Sequence, residues 1–306
     1  MSFFITLTAV ATMLFYALPG FLLVKAKAVP ASAIPFFTKL LLFVCQPCLT
    51  FTSLIKMPFS AQSVLKLLLC FFLTLAFQGF LMLLYFLLFK KKRRDIKWRV
   101  VNLAAIFSNC GFLGVPLLEK LLPDHPEAAA YSCVFALTMH MIGWSAGLYI
   151  LSLDKKFISP KKILINPATL ALLVALPFFI SGLSLPDALS EMVGLLAKMS
   201  TPLCMIVMGM RLATAKLRSV FCVKLQYLSV LLNQIVFPLF AFAVLYFLPI
   251  DGALKATIVI LSACPVASMV QNYAELLGKG QETAANTVLL GTISSVFTIP
   301  LICLLL

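Results

Sequence analysis

The sequence predicts an all-α polytopic membrane protein: ten transmembrane helices in two inverted five-helix repeats, with broken helices 4 and 9 crossing. Three observations carry this expectation. Apolar runs near the twenty residues needed to cross a bilayer recur along the whole chain. Basic residues collect in every second connection between those runs. Two of the runs are interrupted by Gly, Pro and small polar residues at matching positions in the two halves.

Composition removes most other classes. Hydrophobic residues make up 62% of the 306, charged residues only 11%, and mean hydropathy is +1.09. A soluble chain is about half apolar and about a quarter charged. The net charge of +14 does not indicate nucleic acid, because the basic residues lie between apolar runs rather than on one soluble patch. The longest polar stretch, Lys90 to Arg99, leaves no room for a soluble domain. All nine cysteines fall inside the expected segments. Cys45 and Cys48 have redox-pair spacing, but thiols in apolar surroundings are inert. No metal site, prosthetic group or P-loop is expected, and no enzymatic nucleophile–base set is recognisable.

Taken in order, the segments run approximately over 4–24, 32–55, 64–89, 100–122, 128–152, 166–184, 188–211, 220–248, 254–277 and 283–305. The first has no basic region before it and no convincing cleavage site, so it reads as a retained helix rather than a signal peptide. The joints Leu122-Pro-Asp-His-Pro126 and Leu185-Pro-Asp187 read as turns. The connections after segments 1, 3, 5, 7 and 9 hold two, seven, four, four and one basic residues, eighteen of the 24. The positive-inside rule makes those loops cytoplasmic and puts both termini on the non-cytoplasmic side. In a bacterium the location would be the inner membrane.

Five segments per half is an odd number, so a repeat must be inverted, with halves 1–153 and 154–306. At an offset of 154, Ile106-Phe-Ser-Asn-Cys-Gly111 meets Ile260-Leu-Ser-Ala-Cys-Pro265. Gln46-Pro-Cys-Leu49 meets Thr201-Pro-Leu-Cys204, and Leu18-Pro19 meets Leu176-Pro177, near the same offset.

The interruptions define the expected site. In segment 4, Asn109, Cys110, Gly111, Gly114 and Pro116 interrupt a helix at mid-membrane; in segment 9, Cys264, Pro265, Val266 and Ala267 do so. Broken backbone at that depth is tolerated only where protein or a wet cavity satisfies it. The half-helix after each break begins with unpaired N–H groups and a positive dipole end, which favour a carboxylate. Asn109 can both donate and accept. Gln46, beside Pro47, is a second polar candidate, with helix–helix hydrogen bonding as its alternative role. His140 is a candidate for proton coupling or for a bond to a neighbouring helix. Lys198 is a candidate anion contact, or its stem reaches an interface. Lys39, Lys66 and Arg211 lie near segment ends and are expected to snorkel; Glu119 and Glu275 are expected to be solvated.

At these residues the chain resembles the auxin efflux carrier family, which includes plant PIN proteins and bacterial carriers annotated for malonate or malate. The resemblance rests on Asn109 through Leu118, similar to the family's Asn…Gly-x-Pro-Leu-Leu pattern, on Pro265 through Ala274, on Thr283 through Thr292 and on Thr298 through Leu301. Pro47 and Thr201-Pro202 also sit where the family places helix prolines. It covers the whole chain, without the long central loop of larger plant members. It implies scaffold and transport domains each formed from both repeats, an elevator-type exchange of access, Asn109 as the substrate-contacting asparagine, and Pro116 and Pro265 as crossover prolines. Dimers are known in the family, so a homodimer is one expected assembly. Cys264-Pro-Val-Ala267 is closer to bacterial members than to the auxin carriers, which favours a small organic acid. The expectation is a secondary transporter of an organic anion in the lipid bilayer, with H+ or Na+ as the candidate coupling ion. The alternatives are a sodium-coupled carrier of the bile-acid-symporter kind, which shares the crossed architecture, and a membrane sensor that binds without translocating.

Overall fold

A computed structural model describes residues 3–157 and 167–306. Lys161 and Lys162, counted among the basic loop residues, fall outside the described residues. The described chain is helical, its only bridge between extended residues being Ser108 with Val266. Among the described residues, seven helices are long and apolar enough to cross a membrane: Phe3–Lys25, Ala31–Ile55, Ala61–Leu88, Ala128–Ser152, Asp187–Thr214, Lys224–Tyr246 and Gln281–Cys303. Pro167–Ser181 occupies segment 6. Segments 4 and 9 are each divided, into Ile96–Ala104 and Cys110–Leu121, and into Gly252–Ala263 and Ser268–Leu277. The chain is an integral, multi-pass membrane protein.

Several helix ends follow from local chemistry. Ser60 accepts from Ser63 N at 3.0 Å, and Asp251 accepts from Ala253 N and Leu254 N at 2.9 and 3.2 Å; both are side-chain N-caps. Asp95 caps the start of segment 4, accepting from Lys97 N at 2.9 Å. That helix therefore begins at Ile96 and takes in Lys97 and Arg99, which the sequence suggested were loop residues. Arg99 Nη1 donates to Leu151 O at 2.6 Å. Cys222, expected inside segment 8, is exposed in the short connection before Lys224, because that segment starts with a separate turn at Leu217–Phe221.

Prolines are accommodated in two ways. A π-turn ends two residues before Pro47, Pro116 and Pro238, at Leu41–Cys45, Cys110–Gly114 and Leu232–Val236. The widened turn makes room for a ring that would clash with the preceding turn and for a carbonyl that loses its donor. Pro177, Pro202 and Pro300 instead lie inside continuous helices. Pro47 and Pro202, aligned by the repeat, are thus treated differently.

Packing sorts the segments into two groups, which meet where Phe3–Phe15 lies against Gln281–Cys303. Residues 17–25 lie along Asp187–Thr214, and Pro167–Ser181 lies along Gln46–Ile55. Gly20 and Gly209 permit the first pairing: a Cβ on Gly209 would fall 1.8 Å from Ala17 O, and one on Gly20 2.0 Å from Ile206 O. Elsewhere Ala61–Leu88 packs on Ala128–Ile142, and Lys224–Leu231 on Gln281–Cys303, around the two divided segments. The second group holds the interior. Two thirds (67%) of the most apolar stretch of Ala128–Ser152 is buried, against 22% of that of Phe3–Lys25, whose Phe4, Ile5 and Phe15 face outward. Exposed apolar side chains such as Phe72, Leu83 and Leu173 suit a surface solvated by lipid tails.

Segment ends gather around two cavities. One cavity, of about 450 Å³, is walled by the ends adjoining the connections after segments 1, 7 and 9. Another, of about 350 Å³, is walled by ends adjoining the connections after segments 4 and 8 and by the C-terminal Leu305 and Leu306. Lys66 and Asp251, which follow segments 2 and 8, form an ion pair at 2.8 Å.

Candidate functional site

The two divided segments meet at their breaks. Asn109 N donates to Pro265 O and Ala267 N donates to Phe107 O, both at 2.7 Å, forming the antiparallel bridge between Ser108 and Val266. Two irregular stretches thereby satisfy each other's backbone groups at a depth where no water is assured. Ser108 Oγ donates to Ser262 O at 3.3 Å, a bond between residues 154 apart, the offset of the sequence repeat. Neighbouring helices supply the remaining donors. Ser132 Oγ donates to Cys110 O at 2.7 Å, and Thr201 Oγ1 to Phe112 O at 2.8 Å.

Local sequence explains why the chain breaks here. Cys264 is extended at φ −58°, ψ 148°, the region a following proline imposes. Pro265 has no N–H to continue the helix. Gly114 lets the first break approach the second segment, since a Cβ there would fall 2.5 Å from Leu261 Cδ2. Gly111 serves Gln46 in the same way, its Cβ position lying 3.2 Å from Gln46 Oε1.

Both helices that leave the breaks start without a side-chain cap, after Asn109 and after Ala267. Their first N–H groups and positive dipole ends converge on the crossing. A cavity of about 30 Å³ opens there, bordered by Gln46, Asn109, Gly111, His140, Ser268 and Asn272 among others. Asn109 is 4% exposed and its Nδ2 has no carbonyl or hydroxyl partner; the Cys204 thiol lies beside it, and sulfur is a weak acceptor. An unmatched buried amide costs roughly 1–3 kcal/mol, so a ligand oxygen here would be stabilised. His140 Nδ1 is likewise buried without a partner. The cavity is about the size of one or two waters. Any organic anion requires the surrounding helices to move apart.

The structure brings together Gln46, Asn109, Cys110, Gly111, His140 and Ala267 at this cavity. Cys264, Pro265 and Val266 do not border it; they are buried behind it, shaping the break. Gly114 and Pro116 lie deeper along the Cys110–Leu121 helix and also stay off the wall. Lys198 is exposed while Ala197 and Ser200 are buried: the helical phase turns it away from the crossing.

Polar residues that sequence reading did not single out complete the surroundings. Ser268 and Asn272 follow the second break on the same helix, so their four-residue spacing was the available signal. Arg211, expected to snorkel, is 5% exposed. Its Nη1 pairs with Glu275 Oε1 at 3.2 Å, and its Nη2 donates to Thr38 Oγ1 and Asn272 Oδ1 at 3.2 and 3.4 Å. Among the described residues there is no cluster of His, Cys, Asp or Glu suited to a metal ion.

Comparison with individual curated proteins gives no significant match. A family model described as a membrane transport protein matches residues 5–157 and 152–303, nearly the whole chain. With two interrupted helices joined at their breaks inside a multi-pass apolar bundle, the chain belongs to this membrane transport protein family, that of the PIN-like auxin efflux carriers.

Proposed function

We propose that the protein is a secondary carrier of a small organic anion, bound by carboxylate at the crossing of segments 4 and 9. The observation that carries this reading is the meeting of two uncapped helix starts beside the unpartnered Nδ2 of Asn109. Positive helix ends and a free amide donor complement a carboxylate and offer nothing to a cation. In this reading the ten segments form two inverted repeats, 1–153 and 154–306. The reciprocal pairings support it: segment 1 with 7 answers segment 6 with 2, and segment 3 with 5 answers 8 with 10. Segments 1, 2, 6 and 7 then act as a scaffold, and the other six carry the crossing through the membrane as an elevator. The basic loops lie on the cytoplasmic side, and both termini on the other.

The test uses purified protein in neutral detergent, with acetate, malonate, malate and indole-3-acetate as probes. Selective thermal stabilisation by one carboxylate is expected, because a ligand that binds only the folded state raises its stability. Asn109→Ala is expected to lose that shift while remaining folded, and to lose uptake into proteoliposomes. Unchanged uptake by Asn109→Ala would remove the site assignment, and binding without counterflow of labelled probe would make the protein a sensor. Uptake that depends on a sodium gradient would favour the bile-acid-symporter kind of coupling.

A further inference from the structure

Arg211 is the buried charge that the crossing does not explain. A guanidinium in a membrane-embedded helix is costly and is kept where it pairs or acts. Here the pairing is incomplete. The contact with Glu275 is a single Nη1–Oε1 approach at 3.2 Å rather than a two-pronged one. Nε is buried without a partner. Glu275 is 43% exposed and has a second, shorter bond, accepting from Gln271 Nε2 at 2.8 Å. The carboxylate therefore has somewhere to go if it leaves the arginine.

Position matters as much as bonding. Arg211 borders a narrow cleft of about 10 Å³ that shares Leu42, Ser268 and Asn272 with the crossing cavity. It also borders the 450 Å³ cavity that contains Lys216. The guanidinium thus stands in the wall between the crossing and the larger space. Its contacts span both packing groups: Thr38 belongs to one, Asn272 and Glu275 to the other.

We propose that Arg211 is a second anion-binding station, at which a carboxylate moving between the larger cavity and the crossing exchanges with Glu275. The incoming carboxylate takes the Nε edge, where Nε and Nη2 form a planar fork that matches its two oxygens, in place of the Nη2 bond to Asn272, and its charge drives Glu275 off Nη1. Glu275 shifts onto Gln271. Losing the Arg211–Glu275 bond frees the Ser268–Leu277 helix from the Asp187–Thr214 helix, so occupancy and relative motion of the two groups become linked. The proposal rests on the anion-carrier reading.

The test is a malonate titration of thermal stability, on the full chain in lipid-free neutral detergent at constant chloride. Glu275→Gln removes the competing carboxylate and is expected to raise apparent malonate affinity at least threefold. Arg211→Lys keeps the charge but loses the fork and is expected to weaken it severalfold. Since Arg211→Met leaves Glu275 without its ion-pair partner, the double variant R211M/E275Q is used as well, and it should abolish the gain seen in Glu275→Gln. If Glu275→Gln and R211M/E275Q both respond to malonate as the unmodified protein does, Arg211 is not an anion station; the carrier reading survives that result if Asn109→Ala still removes the response. If instead Asn109→Ala has no effect while the Arg211-dependent gain persists, the station stands and the crossing loses its role. No malonate response in the unmodified protein or in Glu275→Gln would overturn the proposal.

Discussion

The two breaks meet at one point but are made of different chemistry. The first, in segment 4, carries side chains that face the cavity: Asn109 and Cys110, followed by a π-turn that delays the regular helix until Val115. The second, in segment 9, is a short extended step at Cys264–Ala267 behind which a regular helix begins at Ser268. One break contributes an adjustable amide; the other contributes a fixed helix end and the carbonyl that holds Asn109 N. Both halves bring an uncapped helix start, but only the first adds a side-chain amide to it. Substitutions in the two halves should therefore fail differently.

The largest effect on stability is expected at the contact between the halves. Gly114→Leu places a side chain against Leu261, whose Cδ2 lies 2.5 Å from the Cβ position. Overpacking of this kind costs about 1–3 kcal/mol, and the thermal midpoint should fall whether or not ligand is present. Pro265→Ala acts on the second break alone. It restores an N–H and lifts the restriction on Cys264, so the helix Gly252–Ala263 can extend across the crossing. Carboxylate-dependent stabilisation should drop about tenfold in apparent affinity with little change in the midpoint of the ligand-free protein; equal losses in both would mean the break is only structural. Gly111→Ala tests the first break more gently. The new methyl meets the Gln46 amide at 3.2–3.3 Å, the far end of a flexible side chain that can retreat, so a two- to fivefold loss of apparent affinity is expected.

The smallest effect lies outside both breaks and serves as a control. Asp251 is held below the usual carboxylate range chiefly by its bond from Lys66, with the N–H groups of Leu254 and Ala253 adding to it against desolvation. A carboxyl whose pKa is lowered on folding adds stability above its unfolded value of about 4, and that increment disappears as pH falls through the folded value. Asp251→Asn keeps a helix N-cap but loses the ion pair, which is 35% exposed at Asp251 and so worth less than about 1 kcal/mol. The midpoints of the two proteins should differ slightly at pH 7 and converge once the pH has fallen through the lowered value of Asp251, with malonate response unchanged throughout.

How much of this was legible in the sequence differs by kind of feature. Segment limits were readable to within a few residues, as at Ala128–Ser152, because crossing a bilayer demands a run of apolar residues of known length. The breaks were readable because Gly and Pro act locally on the backbone. Arg211 was misread as an end residue, for its sequence position resembles that of a snorkelling side chain; Glu275 is exposed, as expected, but pairs with it. What buries Arg211 is packing across 64 and 173 residues of chain, to Glu275 and Thr38. For Lys198, proximity to Pro202 suggested the site, but the helical phase points it outward, which leaves the alternative of a stem reaching an interface.

By itself, then, the sequence determined where the chain crosses apolar space, where its helices fail, and which basic connections fall together, because each depends on composition or on local backbone sterics. Only the tertiary structure decided which failures face each other. Asn109 matters through Pro265 O, which holds its backbone, and through an amide left without a partner. That pairing is set by helices from distant parts of the chain meeting where their own hydrogen bonds have run out.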